Sequence, residues 1–449
     1  MTFLLAENCV IPNLVSSVFF LPEYKTPWTE MSIPNSVRKI NMGQSYACEI
    51  KQNYLPEFLE ELVLGDMYSH EITSSDIFPS SLQSLDFGEG YLFQITAESI
   101  PRNLKKLSLP YSYKHGSIDH FPDSLEYLFL RNLSSFNIGK NNFPINLVKL
   151  KVPYMINTIC ADILPSSLKE LRTLYYSPSI LELKYLEKLN FSCDRDTLIR
   201  SDMFPDSLTD LKLSGEHKNK FNKTSFPKNL IKLTLNCYYI HEFTDGIFPD
   251  SLEYLWVQMY DHEIKKSVLP PNLKSLSIQE EYKYPISSHM FPESLRELNL
   301  DYGFNDAITD KSLPKNLGVF ILVVNHFCLR DSDKIENIKQ SIDYINYLCS
   351  MDMKSCIYFD NREHEDNLIL FNILDIIYPI YFSPCYRTPS AFTRHMKHSC
   401  IQPEYSSQDT HLEIIEIETI TRYMHFRVIN PSTFEPHLPR SKSARYVSK

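Results

Sequence analysis

The chain has 449 residues, with 10 glycines against 28 prolines, 28 tyrosines and 27 phenylalanines, and a formal net charge of −10. That length exceeds what one compact core serves, so several domains or one repetitive array is expected. The acidic balance argues against generic nucleic-acid or anionic-membrane binding, and the shortage of glycine argues against loops that cradle phosphates.

The N-terminal stretch MTFLLAENCV is apolar only over Phe3 to Ala6, far short of a secretory leader. From Pro12 onward one phrase returns: IPNLVSSVFF, IPNSVRKINM, LPEFLEELVL, FPSSLQSLDF, IPRNLKKLSL, FPDSLEYLFL, FPINLVKLKV and LPSSLKELRT. It goes on as FPDSLTDLKL, FPKNLIKLTL, FPDSLEYLWV, LPPNLKSLSI, FPESLRELNL and LPKNLGVFIL. Successive prolines stand 21 to 23 residues apart, except for a 40-residue step before Pro205 in which LKYLEKLNF fits the template with Leu183 in the proline place. About 15 units therefore run from Pro12 to roughly residue 325.

Each place in the unit has a physical reason. Apolar residues fall three, six and eight places after the proline, as Leu125, Leu128 and Leu130 do after Pro122. The last two share one face of a short strand. A further apolar residue about sixteen places on (Ile72, Ile95, Ile138, Phe221, Phe243, Ile286, Ile308) closes the coil from the opposite side. The bulky residue before each proline is a second plug, and the proline itself fixes φ and holds its predecessor extended. Ser or Asn two places after the proline, such as Ser124 or Asn103, is expected to bond local backbone at the turn. The segments between strands are too short and too polar for ordinary helices, so extended or 3₁₀ backbone is expected there.

The unit closely resembles the FNIP repeat, a relative of the leucine-rich repeat. The resemblance implies a solenoid, mainly β: a leucine-rich-repeat-like parallel β coil; the residues after the repeats add the expectation of a small α+β segment at the C-terminus. Proteins with this repeat belong mostly to social amoebae and to large DNA viruses of amoebae. Many viral members carry an N-terminal F-box that recruits a cullin-type ubiquitin ligase and leaves the repeats to hold substrate. Here the array starts by residue 12, so no F-box is expected at that end. The resemblance implies a non-enzymatic protein-binding module with host proteins as partners, in the host cytoplasm. A ligase substrate subunit, or a structural protein without a required partner, are the other readings. No nucleic acid, membrane, cofactor or small-molecule substrate is expected.

In such arrays the strand residues between the buried leucines form the concave binding face. Five places after the proline they run Tyr127, Lys149, Glu170, Lys188, Asp210, Lys232 and Tyr254; seven places after, Phe129, Lys151, Arg172, Asn190, Lys212, Thr234 and Trp256. Two aromatic pairs thus bracket a mainly basic stretch, and aromatics with Arg are common interface anchors. The expected partner-binding set is Tyr127, Phe129, Lys149, Lys151, Arg172, Lys188, Lys212, Lys232, Tyr254 and Trp256, facing an acidic or mixed protein segment. The same columns also read as a solvated ladder offset by Glu170 and Asp210, its aromatics stacked on their neighbours.

The array is assigned to residues 1–326, a capping α+β segment to 327–435 and a flexible basic tail to 436–449. The longest apolar run, Val319 to Val324, cannot cross a bilayer, which takes about 20 residues. Ile335, Ile338, Ile342, Ile345 and Leu348 share one helical face over 331–350, a fitting lid for the open end; 367–379 reads as a second helix and HLEIIEIETITRYMHFRVI as strands. Cys385, His395, His398 and Cys400 match no standard zinc spacing and read as ordinary surface residues. Ten dispersed cysteines without a CxxC pair read as free thiols of a reducing compartment. No P-loop, HExxH, GxSxG or kinase-type loop occurs, so no catalytic residue is assigned.

Overall fold

A computed structural model describes residues 2–325, apart from 7–8, 23, 28–32, 114–120, 132–142, 153–162, 194, 280–281, 301–306 and 310, together with 354–360. The C-terminal helices, the strands within 411–429, the basic tail and the Cys385/His395/His398/Cys400 set lie outside the described residues, as does Ile138. The chain divides into two compact units, Met1–Leu252 and Glu253–Lys449.

The proline phrase builds the same corner every time. The carbonyl at the proline place accepts the N–H three residues on, as in Leu125 to Pro122 (3.0 Å), Leu208 to Pro205 (3.1 Å) and Leu186 to Leu183 (3.0 Å). The leucine at that third place therefore drops inward, and Leu125, Leu147, Leu168, Leu186, Leu208 and Leu230 are all 0% exposed. The chain then straightens into a strand.

In the first unit the strands are β1 (Thr2–Leu5), β2 (Ser17–Phe20), β3 (Lys39–Asn41), β4 (Glu61–Val63), β5 (Ser84–Asp86) and β6 (Lys106–Leu109). They continue as β7 (Tyr127–Leu130), β8 (Lys149–Val152), β9 (Glu170–Thr173), β10 (Lys188–Cys193), β11 (Asp210–His217) and β12 (Lys232–Tyr239). All pair in parallel and in one register, so that Tyr127, Lys149, Glu170, Lys188, Asp210 and Lys232 stand side by side. β1 is one coil more than the proline template marks. In the second unit β13 (Tyr254–Gln258), β14 (Ser275–Gln279), β15 (Glu297–Leu300), β16 (Val319–Asn325) and β17 (Lys354–Asp360) keep the same parallel register. β17 falls beyond the proline repeats, in the segment read from sequence as an α+β cap.

Among the described residues the connections carry no α-helix, only short 3₁₀ turns such as Ser75–Ile77, Ser201–Met203 and Ser288–Met290. The core follows the sequence pattern: the strand leucines, the residues before proline (Phe78, Phe121, Phe204, Phe226) and the residues sixteen places on (Ile72, Ile95, Phe221, Phe243) are buried. Three glycines stack nine places after their prolines, at Gly43, Gly65 and Gly88, where a Cβ at Gly65 or Gly88 would strike a backbone oxygen of the preceding coil, that of Tyr46 or Gly65.

Two hydrogen-bond ladders tie coil to coil. The first corrects the expectation of a local turn bond. Ser124 Oγ reaches the carbonyls of Arg102 (2.8 Å) and Leu104 (2.7 Å) one coil back, and Ser81, Ser167 and Ser251 do the same. Asn103, Asn146 and Asn229 likewise donate to Ser80, Asp123 and Asp206. The local carbonyl is already taken by the turn, so the side chain turns to the neighbour.

The second ladder is a column of tyrosines twelve places after the proline. Tyr68, Tyr91, Tyr113, Tyr239 and Tyr282 are at most 2% exposed, and each hydroxyl accepts a buried N–H one coil back, from Ile50 (3.5 Å), Ile72 (3.3 Å), Ile95 (2.9 Å), Phe221 (2.9 Å) and Ile264 (3.5 Å). A buried amide left unpaired costs about 1–3 kcal/mol. Each tyrosine therefore satisfies backbone that the strands cannot reach.

His217 takes the tyrosine place in its coil. It is 1% exposed and stacks on Phe221 (centroids 4.4 Å), which in turn stacks on Tyr239 (4.4 Å). Burial, with the neighbouring His241, holds its pKa down at about 4. The ring is therefore neutral in the folded chain.

Two outcomes follow. Tyr239→Phe, which keeps the ring and removes the hydroxyl, should cost about 1–3 kcal/mol in urea unfolding and speed hydrogen exchange at the Phe221 amide; unchanged exchange there would remove the ladder's energetic role. The unfolded chain protonates His217 near 6.5 while the folded one does so near 4. Stability from the neutral ring is therefore complete above 6.5 and lost as pH falls towards 4, on the order of 3 kcal/mol. Raised carboxyls at Asp86 and Asp210 act in the opposite sense. The difference between wild type and His217→Phe isolates the histidine term, and parallel curves for the two would refute it.

Candidate partner-binding face

Alternation sends the sixth and eighth residues of each coil inward and leaves the fifth and seventh facing solvent. The structure brings eight of the ten sequence-selected residues onto one face of the first unit: Tyr127 and Phe129 on β7, Lys149 and Lys151 on β8, Arg172 on β9, Lys188 on β10, Lys212 on β11 and Lys232 on β12. Tyr254 and Trp256 belong to the second unit, on β13, where they stand beside Ser275 and Ser277. Tyr254 is exposed and Trp256 half-buried.

On the first unit's face the two columns differ in charge. In the fifth-place column each carboxylate has a cation beside it. Lys149 Nζ lies 2.6 Å from Glu170, and Lys232 lies 3.9 Å from Asp210. The seventh-place column, Phe129, Lys151, Arg172, Asn190, Lys212 and Thr234 in strand order, contains three cations and no carboxylate. Across both columns of β7–β12 there are six cations and two carboxylates, in a chain whose net charge is −10.

The aromatic end is occupied from within. Lys149 and Lys151 sit over the Tyr127 ring at 5.7 and 5.6 Å, and Lys151 over Phe129 at 5.9 Å. Arg131, one place beyond β7, lies over Phe129 at 5.1 Å and reaches Asp86 (3.5 Å) and Glu89 (3.2 Å). Sequence reading missed Arg131, because its Asp86 partner is 45 residues and two coils away. The aromatics thus stack under cations rather than on one another.

Arg172 is exposed and Lys212 half-buried, and neither forms an ion pair or hydrogen bond among the described residues. Burial first, then the positive charges of Arg172 and Lys232, lowers the Lys212 pKa. Burial likewise raises Asp210, against the pull of Lys232 and Lys188. Burial, with the charges of Asp86 and Glu170, pushes Tyr127 up to about 12, so its hydroxyl keeps its proton at neutral pH. The face offers fixed positive charge beside flat apolar rings, which suits binding an anion rather than moving a proton.

A half-open recess of about 400 Å³ lies elsewhere, at the proline turns lined by Asn35, Tyr54, Glu57, Asp76 and Ser80. Among the described residues Cys9, Cys48, Cys193 and Cys237 form no disulfide, no His/Cys/Asp/Glu group could hold a metal, and no helix is long and apolar enough to cross a membrane.

The family model described as FNIP Repeat matches residues 48–90, 196–238, 217–256 and 260–303. No curated protein matches the chain in sequence. Among solved structures it is similar to the giant-virus protein CroV588, a novel circular LRR protein structure, at 21% identity and TM-score 0.46, covering 78% of this chain and 64% of that one. It is also similar to a leucine-rich repeat protein from Bacteroides ovatus at 13% identity and TM-score 0.17, covering 76% of this chain and 84% of that one. The chain thus spans less than two thirds of the length of CroV588, and the fold rests on the register of its own strands.

Because Arg172 is the second cause of the lowered Lys212 pKa, Arg172→Gln should raise that ammonium part of the way towards its ordinary value, as read by a heteronuclear NMR titration of the lysine side chain. No change would mean that the two charges do not sense each other.

Proposed function

We propose that this chain, which carries FNIP repeats and coils them into parallel β-sheet, is a non-enzymatic protein-interaction module whose solvent face on β7–β12 receives an acidic segment of a partner protein. One observation carries the reading: a strip of six cations on an otherwise acidic chain, with its only two carboxylates already beside lysines. Tyr127 and Phe129 supply a flat apolar wall at one end, and Lys149, Lys151, Arg172, Lys188, Lys212 and Lys232 supply the charge. On the second unit, Tyr254 and Trp256 offer a separate aromatic anchor. The likeness of the repeat to those of amoebal viruses supports host proteins as partners and the host cytoplasm as the place of action.

Repeat solenoids present such faces because each coil adds one strand and one set of outward residues. Opposite charge steers encounter and sets register, while aromatic rings supply contact area at low entropy cost. A fluorescein-labelled peptide of ten glutamates is the probe. The triple variant Lys151→Glu, Arg172→Glu, Lys212→Glu should weaken its binding at low salt by at least about tenfold. Lys220→Glu, Lys223→Glu, Lys228→Glu makes the same charge change off the strip and should have little effect. Equal losses in the two variants would point to net charge alone and overturn the assignment of the face.

A further inference from the structure

We propose that Arg172, Asn190 and Lys212 form a subsite for a single phosphoryl group, so that the docking segment is a phosphorylated protein segment and not merely an acidic one. This rests on the binding face proposed above and specifies what it selects. The three residues stand in one column on consecutive strands, Arg172 beside Asn190 and Asn190 beside Lys212. At about 4.8 Å per strand the two cations are rooted about 10 Å apart, with the amide midway. Both stems are long enough to converge above Asn190.

What surrounds them explains why the place is open to an anion. The neighbouring carboxylates are taken, Glu170 by Lys149 and Asp210 by Lys232, and Lys151 is drawn over the rings of Tyr127 and Phe129. Arg172 and Lys212 therefore face each other across a neutral residue, and no resident carboxylate joins them among the described residues. Lys212 is half-buried and feels the charges of Arg172 and Lys232, which Asp210 offsets in part, and an anion seated between Arg172 and Lys212 would relieve that repulsion.

The span selects the ligand. A carboxylate brings one charge and two oxygens and meets one cation well. A phosphorylated side chain brings a charge of about −1.5 to −2 and three terminal oxygens, enough for guanidinium, ammonium and amide together. A nucleic-acid backbone fits less well, because it needs a continuous cationic track. Here Glu170 and Asp210 flank the subsite, and Phe129 and Thr234 end its column.

The test uses the full chain and three capped peptides of one glutamate-flanked sequence, carrying phosphoserine, glutamate or serine at the centre, read by fluorescence anisotropy. The phosphoserine peptide should bind about tenfold more tightly than the glutamate peptide. Arg172→Gln and Lys212→Gln should each weaken both acidic peptides but weaken the phosphoserine peptide more, so that the preference between them falls to about twofold or less, with thermal melting unchanged. Equal binding of phosphoserine and glutamate peptides, or a preference that survives both substitutions, overturns the subsite and leaves the acidic-segment reading standing. Failure of all three peptides to bind overturns both. Tighter binding of a single-stranded oligonucleotide than of the phosphopeptide would reject a protein ligand for this subsite.

Discussion

A backbone that, among the described residues, is nowhere α-helical must find partners for its N–H and C=O groups outside its own turn. Apart from the short local bonds of each proline turn, those partners lie one coil away and at one offset. The strands meet residue for residue, the serines and asparagines after proline reach back to the preceding turn, and tyrosine hydroxyls accept the amides between. Every other regularity of the molecule follows from keeping that offset, including the straight columns of side chains on the solvent face.

Much of this was legible in the letters because it is periodic. The prolines, the three leucine places, the plug before proline and the residue sixteen places on all fall where the pattern puts them. The tyrosine column was equally visible, in Tyr24, Tyr46, Tyr68, Tyr91 and Tyr113 at 22- or 23-residue steps. It lies outside the strand phrase, however, and tyrosine is ambiguous between core and surface. The targets of Ser124 and its equivalents could not be read from sequence, since which carbonyl remains free is settled only after the turn has formed. Arg131 is a similar case: a charge on one coil balanced two coils away.

The face shows the same division. Sequence gives which residues share a column, and it gave the excess of cations. It also set Glu170 and Asp210 beside lysines of their own column, but it does not say that Lys151 leans onto aromatic rings while Arg172 and Lys212 form no ion pair or hydrogen bond among the described residues. Those pairings decide which charges are available to a ligand, and exposed pairs of this kind contribute little to stability, about 0–1 kcal/mol.

The stretch from the proline place to the second buried strand residue, eight places on, keeps its length, whereas the remainder of the coil absorbs the difference between 18 and 23 residues. Since a coil's backbone bonds lie within its own turns or reach an adjoining coil of the same design, recombination that copies or deletes a whole coil preserves that bonding. A shift of one residue inside the proline-to-strand half would break it at once. Heredity can therefore lengthen or shorten such an array freely while being held to the letter within half of each turn, and a surface column can gain or lose a member without any change of scaffold.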